Sequence, residues 1–432
     1  MKYLITLIIF FTLLAGFSIP QEKHPLTLDD CIRTGMENSK SLKIAKYKVE
    51  AAESKVKEVN TAYYPSLKLI GNYTRLSPVD PFTIMGYTIS PSILDNYNTR
   101  LTLSQPIFTG NRISNNSEMM EFNLYAAKAD YNKEKNQLIY DIKTAFWNYY
   151  KAIELKKSIE ESIKQVEAHL KDIENLMANG MATNNEVLRV KLQLSNTKLI
   201  LLDASSNVDI SMIGLNNTIG LPINNETAIS APVNLKPVQK FKLDSLIRTA
   251  IDDRPDVKAM EYRIKMNETS ISMTKSSWYP QISASANYYY SRPNQRIFPT
   301  VDAFKGTWDI GLMVSYDIWN WRLTTHQTAQ AVSTFEQSKL SLGQIKDMIT
   351  LEVNQVYLGL IKAQERIPVS AETVQQAEEN YKITSRKFTQ GLVLNSDVID
   401  AETTLLQAKI NYTTSLVDYE IMLAKLEKAV NK

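Results

Sequence analysis

Side chains that could do chemistry are few in this 432-residue sequence, and they do not gather. Its three histidines, His24, His169 and His326, are the residues best suited to acid–base work or metal ligation near neutral pH. They stand far apart, one near the N-terminus and two within helical patterns, so all three are expected at the surface. A single cysteine, Cys31, excludes an intrachain disulfide and a thiolate metal cluster. The acid pairs Asp29-Asp30 and Asp252-Asp253 have the composition of a catalytic dyad. They are better explained as first-turn residues of helices, where the helix dipole favours negative charge. Met119-Met120 could hold a soft metal, but a methionine pair on a helix more often serves packing. No glycine-rich phosphate loop, nucleophile elbow or metal-ligand spacing is present. The residues therefore predict no enzyme, no cofactor and no bound metal. With 49 Lys and Arg against 46 Asp and Glu and no basic stripe, they also predict no nucleic-acid partner.

The N-terminus has the layout of a secretory signal peptide over residues 1–18: Lys2, an apolar run from Tyr3 to Ala15, then Ala15, Gly16 and Ser18. A run of about 13 apolar residues is short of the ~20 that a spanning helix needs. Leu14-Ala15-Gly16 resembles the start of a lipoprotein box, yet Phe17 stands where the lipid-bearing cysteine would be, so an unacylated mature chain is expected. No later apolar stretch is long enough for a transmembrane helix. Any membrane crossing must then use strands closed into a barrel, which alone satisfies their backbone groups in lipid.

The chain is an internal duplication. Leu28-Asp29-Asp30-Cys31-Ile32-Arg33-Thr34 matches Leu243-Asp244-Ser245-Leu246-Ile247-Arg248-Thr249 at a shift of 215, which still holds from Tyr64-Pro65 to Tyr279-Pro280. Farther on the shift is 211, pairing Gly180 with Gly391, so the segment between Pro65 and Ser104 should be rich in loops. The first repeat spans 19–221, a linker 222–241, and the second repeat 242–432. Each opens with a helix; in the first it is expected from Thr27 to Ala62, with Thr27 as N-cap and Asp30 three residues on.

Two alternating segments follow in each repeat, within 66–108 and 281–319. Leu101 and Leu103 oppose Arg100 and Thr102; Ile310, Leu312 and Val314 oppose Asp309, Gly311 and Ser315. Segments of about 10 residues with one apolar face and aromatic ends suit lipid-facing barrel strands. An ordinary sheet with one buried face has the same period, and periodicity leaves the two readings open. Long helices are predicted at 112–179 and 322–390, from seams such as Leu138, Ile142, Ala145, Tyr149, Ala152, Ile159, Ile163, Val166, Leu170, Ile173 and Met177. That heptad spacing marks coiled-coil packing. Pro368 should kink or break the second of them. Each ends in a turn, Gly180–Asn185 or Gly391–Ser396, whose glycine suits a left-handed position and whose Asn184 or Asn395 could cap the return helix, 184–220 or 395–430.

The opening Leu26-Thr27-Leu28-Asp29-Asp30, the Arg254-Pro255-Asp256 that starts the helix of the second repeat, the Tyr-Pro before each strand pair and the Gly391…Ser396-Asp397-Val398-Ile399-Asp400-Ala401 turn together resemble the TolC-like outer-membrane efflux family. The likeness extends from about residue 26 to the end. It implies an α+β membrane protein of a Gram-negative-type outer membrane, in which a homotrimer builds a twelve-stranded barrel from four strands per chain. A long periplasmic α-helical coiled-coil barrel continues it. It implies a passive exit duct serving a periplasmic adaptor (membrane fusion) protein and an inner-membrane transporter, for efflux or type I secretion. Four strands cannot close a barrel alone, so lipid-facing strands demand an oligomer in any case. Leu101, Leu103, Ile310, Leu312 and Val314 would then face lipid. Gly180, Met181, Thr183, Asn184, Gly391, Leu392, Val393, Leu394, Asn395 and Ser396 would form the adaptor-docking tips, ~100 Å along the helices from the membrane. The family's acidic ring near the channel mouth has no clear match, and Arg386 and Lys387 stand near the second turn, which leaves ion selectivity open. A periplasmic coiled-coil adaptor or scaffold is the alternative; it would share the signal and heptads but would not need the strands or the duplication.

Overall fold

The computed structural model describes residues 25–89, 93–231 and 242–431. The expected signal segment, its missing lipid site, His24 and residues 232–241 of the linker lie outside the described residues. The helices and strands, in order, are α1 (Leu28–Asn38), α2 (Lys40–Asn60), β1 (Ser66–Arg75), β2 (Phe82–Ile84), β3 (Tyr87–Ile89), β4 (Asp95–Phe108), α3 (Arg112–Ala178), α4 (Asn184–Ile219), α5 (Leu243–Asp253), α6 (Pro255–Lys275), β5 (Gln281–Arg292), β6 (Lys305–Ser315), α7 (Leu323–Thr389) and α8 (Asn395–Val430). The duplication is repeated in these bounds: α1 and α2 recur as α5 and α6 shifted by 215, and α3 and α4 as α7 and α8 shifted by 211. The four-residue difference falls where the first copy carries the extra β2–β3 hairpin.

The opening helix of the first repeat is two helices, not the single one expected. In the second, Pro255 starts α6 as expected, but Asp252-Asp253, expected in a first turn, are the last residues of the preceding α5. Ser39 leaves the helical region at φ −55°, ψ 124°, and its Oγ accepts from the Leu42 amide at 3.3 Å, starting α2 afresh. Arg254 is extended (φ −63°, ψ 135°) because Pro255 follows it, and Pro255 takes the first helical position, where its missing N–H costs nothing. Thr27 caps α1 as expected: its Oγ1 accepts from the Asp30 amide, and the Asp30 carboxylate accepts from the Thr27 amide, both at 3.2 Å.

The chain divides into two compact units. One, Ile44–Lys133 with Ile251–Met348, carries the antiparallel sheet β1-β4-β5-β6. Each repeat contributes a strand pair, and β4–β5 pairing joins the two, leaving β1 and β6 as edges. A bulge in β4 lies between Pro106 and Phe108, where Pro106 has no amide to give the ladder.

The other unit is Met1–Lys43, Glu134–Ala250 and Ile349–Lys432, and its described residues are mostly helical. The predicted seams are its core: Ile142, Val166, Ile173, Val190, Leu215, Val353, Val356, Leu405 and Leu426 are buried. Met177 alone of the first seam is exposed. α7 runs through Pro368 without a break, which excludes one of the two outcomes expected there. The linker's first part is fixed here too. Leu26 pairs in parallel with Ile229, and the Tyr149 hydroxyl donates to the Thr227 carbonyl at 2.8 Å. Gly220 closes α4 at φ +74°, and a Cβ there would come within 2.7 Å of Asn38 Cβ. Cys31 is wholly buried, and burial pushes its thiol up to about 11, which makes it an inert packing residue.

Candidate functional site: the sheet and the helix turns

Strand register decides which side chains of the sheet share a face. Leu67, Leu103, Ala286 and Ile310 form one row across all four strands, and Leu69, Leu101, Tyr288 and Trp308 the next. Leu312 and Val314 continue the same face on β6, opposite Ala284 and Ile282. The five residues predicted to face lipid therefore lie together. None is covered: Ile310 and Leu312 are 75% and 74% exposed. A sheet inside an ordinary core would hide this face, and an apolar patch of this kind left open marks contact with a membrane or a partner.

Aromatic side chains flank the apolar rows at both ends. At one end Tyr73 and Tyr97 pack with ring centres 5.0 Å apart, and Phe304 lies 5.7 Å from Tyr97 and 5.2 Å from Tyr290. At the other, Phe108 meets Tyr279 edge-on at 6.5 Å, and Tyr316, Trp319 and Trp321 are exposed. Strands of 10, 14, 12 and 11 residues are long enough to cross a bilayer's hydrocarbon region, which takes about 9–11 tilted residues. Among the described residues no helix is long and apolar enough to cross a membrane. The opposite face is polar, with Lys68, Thr102, Asn287 and Asp309 forming one row.

In the helical unit the two turns repeat each other. Gly180 and Gly391 adopt φ +72° and +70°, the left-handed conformation expected of them. The amides of Met181 and Leu392 reach back to the carbonyls of Leu176 and Lys387, both at 2.9 Å, satisfying the ends of α3 and α7. The caps of the return helices are Thr183 and Leu394, not Asn184 and Asn395, which are the first helical residues. Thr183 makes a full reciprocal box: its Oγ1 accepts from the Glu186 amide at 3.3 Å, and the Glu186 carboxylate accepts from the Thr183 amide at 2.7 Å. The bond from the Thr183 amide holds the Glu186 carboxyl below its ordinary range. Leucine has no oxygen to offer, so the second turn keeps only the bond from the Leu394 amide to Asp397, 2.9 Å.

Gly180, Met181, Thr183, Asn184, Gly391, Leu392 and Leu394 are exposed, with Met181 at 68% and Leu394 at 70%. Three predicted surface residues are not. Val393 packs against the cluster of Val166, Ile173, Val187, Val190, Phe388 and Val398, and Asn395 is buried, donating to the Glu186 carbonyl at 3.1 Å. Ser396 is half-buried. Asn395 thus ties the second turn to the first.

His169 was expected on the surface and is instead 6% exposed, its Nδ1 3.3 Å from the carboxylate of Glu402, itself 1% exposed. The ring stands edge-on to Phe388, centres 5.2 Å apart. Neither group has a well-aligned hydrogen bond. The signal was present in the sequence for one of them: His169 sits one place from the seam residue Leu170, while Glu402 lies beside Ala401, which is buried on the return helix. His326 is exposed, as expected.

Comparison with known proteins gives these surfaces a context. The probable efflux pump outer membrane protein TtgC of Pseudomonas putida is 19% identical over 395 residues, covering 89% of this chain and 79% of its own. The alkaline protease secretion protein AprF of Pseudomonas aeruginosa is 20% identical over 417 residues, covering 94% and 84%. Among solved structures, the CmeC outer membrane channel of Campylobacter jejuni superposes with a TM-score of 0.81 at 15% identity, over 96% of this chain and 90% of its own, which shows a shared fold. The family model described as outer membrane efflux protein matches twice, over residues 32–221 and 246–432, once for each repeat. The chain belongs to the outer membrane efflux protein family.

Proposed function

We propose that three copies of this chain join their sheets edge to edge into a twelve-stranded outer-membrane barrel, an exit duct whose helical hairpins meet a periplasmic adaptor fed by an inner-membrane transporter. One observation carries the reading: an antiparallel sheet whose apolar face is uncovered and whose two edges, β1 and β6, are unpaired among the described residues. Lipid accepts the apolar face, water the polar one, and neighbouring copies the edges, because only closure satisfies edge groups in a bilayer. The turns suit docking because Met181, Leu392 and Leu394 are held outward on rigid, capped hairpins. Family membership and the names of the relatives support a partner on each side of the periplasm without saying which cargo passes.

Replacing Leu392 and Leu394 together by Asp tests both parts. Cysteine pairs across the β1 and β6 edges should still cross-link a trimer in the outer membrane, while export of a toxic compound or secreted protein is lost. Normal export at normal protein levels would exclude these turns as the docking surface, and failure of every edge pair to cross-link would exclude the barrel.

A further inference from the structure

The polar face of the sheet is not neutral. Lys68, Arg100 and Lys305 project from it, and Asp309 is the one acid among its described strand residues. None of the three bases has an acidic partner among the described residues. Asp309 is already engaged: Arg296 holds its carboxylate at 2.5 Å, and Asn287 donates to it at 2.8 Å. The Arg296 guanidinium also lies over the Tyr289 ring, 4.4 Å from its centre. Tyr289, Thr307 and Asp309 belong to the same face, and Asn294 donates to Thr307 Oγ1 at 3.1 Å. The segment after β5 is therefore folded over the polar face, bringing a fixed cation to Asp309.

We propose that this face is an anion-favouring lining, so that the duct passes negatively charged solutes more readily than positive ones. The inference rests on the barrel reading above, which puts the polar face in the lumen. Three unpaired bases per chain, repeated by threefold symmetry, would surround one water-filled passage. Low-dielectric walls lined by one sign of charge concentrate counter-ions, and rings of Lys and Arg are how pores select anions. Asp309 cannot offset them while Arg296 occupies it. The preference should weaken as salt rises, because charges in a wet lumen are screened beyond about 8–10 Å at physiological ionic strength.

The test is the reversal potential of the full-length protein in planar bilayers across a gradient of dilute KCl. The wild-type reversal potential should lie on the chloride side. The triple variant Lys68→Gln, Arg100→Gln, Lys305→Gln should lose that preference, since only side chains change and the strand ladder is main-chain. The double variant Arg296→Gln, Asp309→Asn removes one charge of each sign and should leave the reversal potential where it is. Polyphosphate added on the side of the β5–β6 loop should block the wild-type current and spare the triple variant. A potassium-preferring wild type, or a triple variant with unchanged selectivity and block, would overturn the proposal while leaving the duct intact. A protein that forms no conducting pore at all contradicts the duct itself.

Discussion

His169 and Glu402 place two ionisable groups inside a seam otherwise made of valine, isoleucine and phenylalanine. Burying two polar groups in such a seam offsets much of what their contact contributes, so the pair adds little net stability, while removing one partner leaves the other buried and unsatisfied at a cost of about 1–3 kcal/mol. Replacing His169 by Leu alone should lower the melting temperature of the purified protein sharply, and the double replacement with Glu402→Leu should recover most of the loss. Equal loss in both variants would mean that the two groups act independently. The sequence carried the positions of this pair but not their meaning, because a residue one place from a seam is exposed or buried according to which second helix packs there. Here α3 meets α8, a contact between the two repeats that no local pattern states. Asn395 misled for the same reason: its type suits a cap, whereas its side chain serves the neighbouring turn.

At the scale of elements, the long helices were legible almost to the residue, since a sustained heptad and a following glycine fix both length and end. The opening helices were less so. Ser39 and Arg254 interrupt an apolar pattern that continues across them, and the break comes from a side-chain cap in one copy and a proline in the other. Within 66–108 and 281–319 alternation marked the four strands of the sheet. The meaning of the apolar face did not follow, because lipid and a protein core ask for the same period of two; an uncovered face excludes an ordinary core and supports the proposed lipid contact. That choice has an energetic consequence. Arginine at Leu312 should cost about 2–4 kcal/mol if the site lies near mid-bilayer, and arginine at Ser315 on the opposite face should be tolerated. Folded trimer recovered from membranes checks this, and equal loss from both substitutions would show that the faces are wrongly assigned.

On the scale of the whole molecule, the duplication is what the sequence states most plainly, and the matching bounds of α3 with α7 and of α4 with α8 repeat it in three dimensions. It also explains the sheet: each repeat supplies one strand pair, too small to close, and the fusion of two still leaves both edges open. Oligomer closure is a property of several chains, so a single sequence can require it without displaying it. The central claim is that this sheet has lipid on its apolar side and water on its polar side. Single cysteines introduced along β6 from Lys305 to Ser315, in a chain whose buried Cys31 is replaced by alanine, test it most directly when intact outer membranes are treated with a charged maleimide. The account predicts labelling at Thr307, Asp309, Gly311, Met313 and Ser315 and protection at Trp308, Ile310, Leu312 and Val314. Labelling without that period of two, or in the opposite phase, would contradict it.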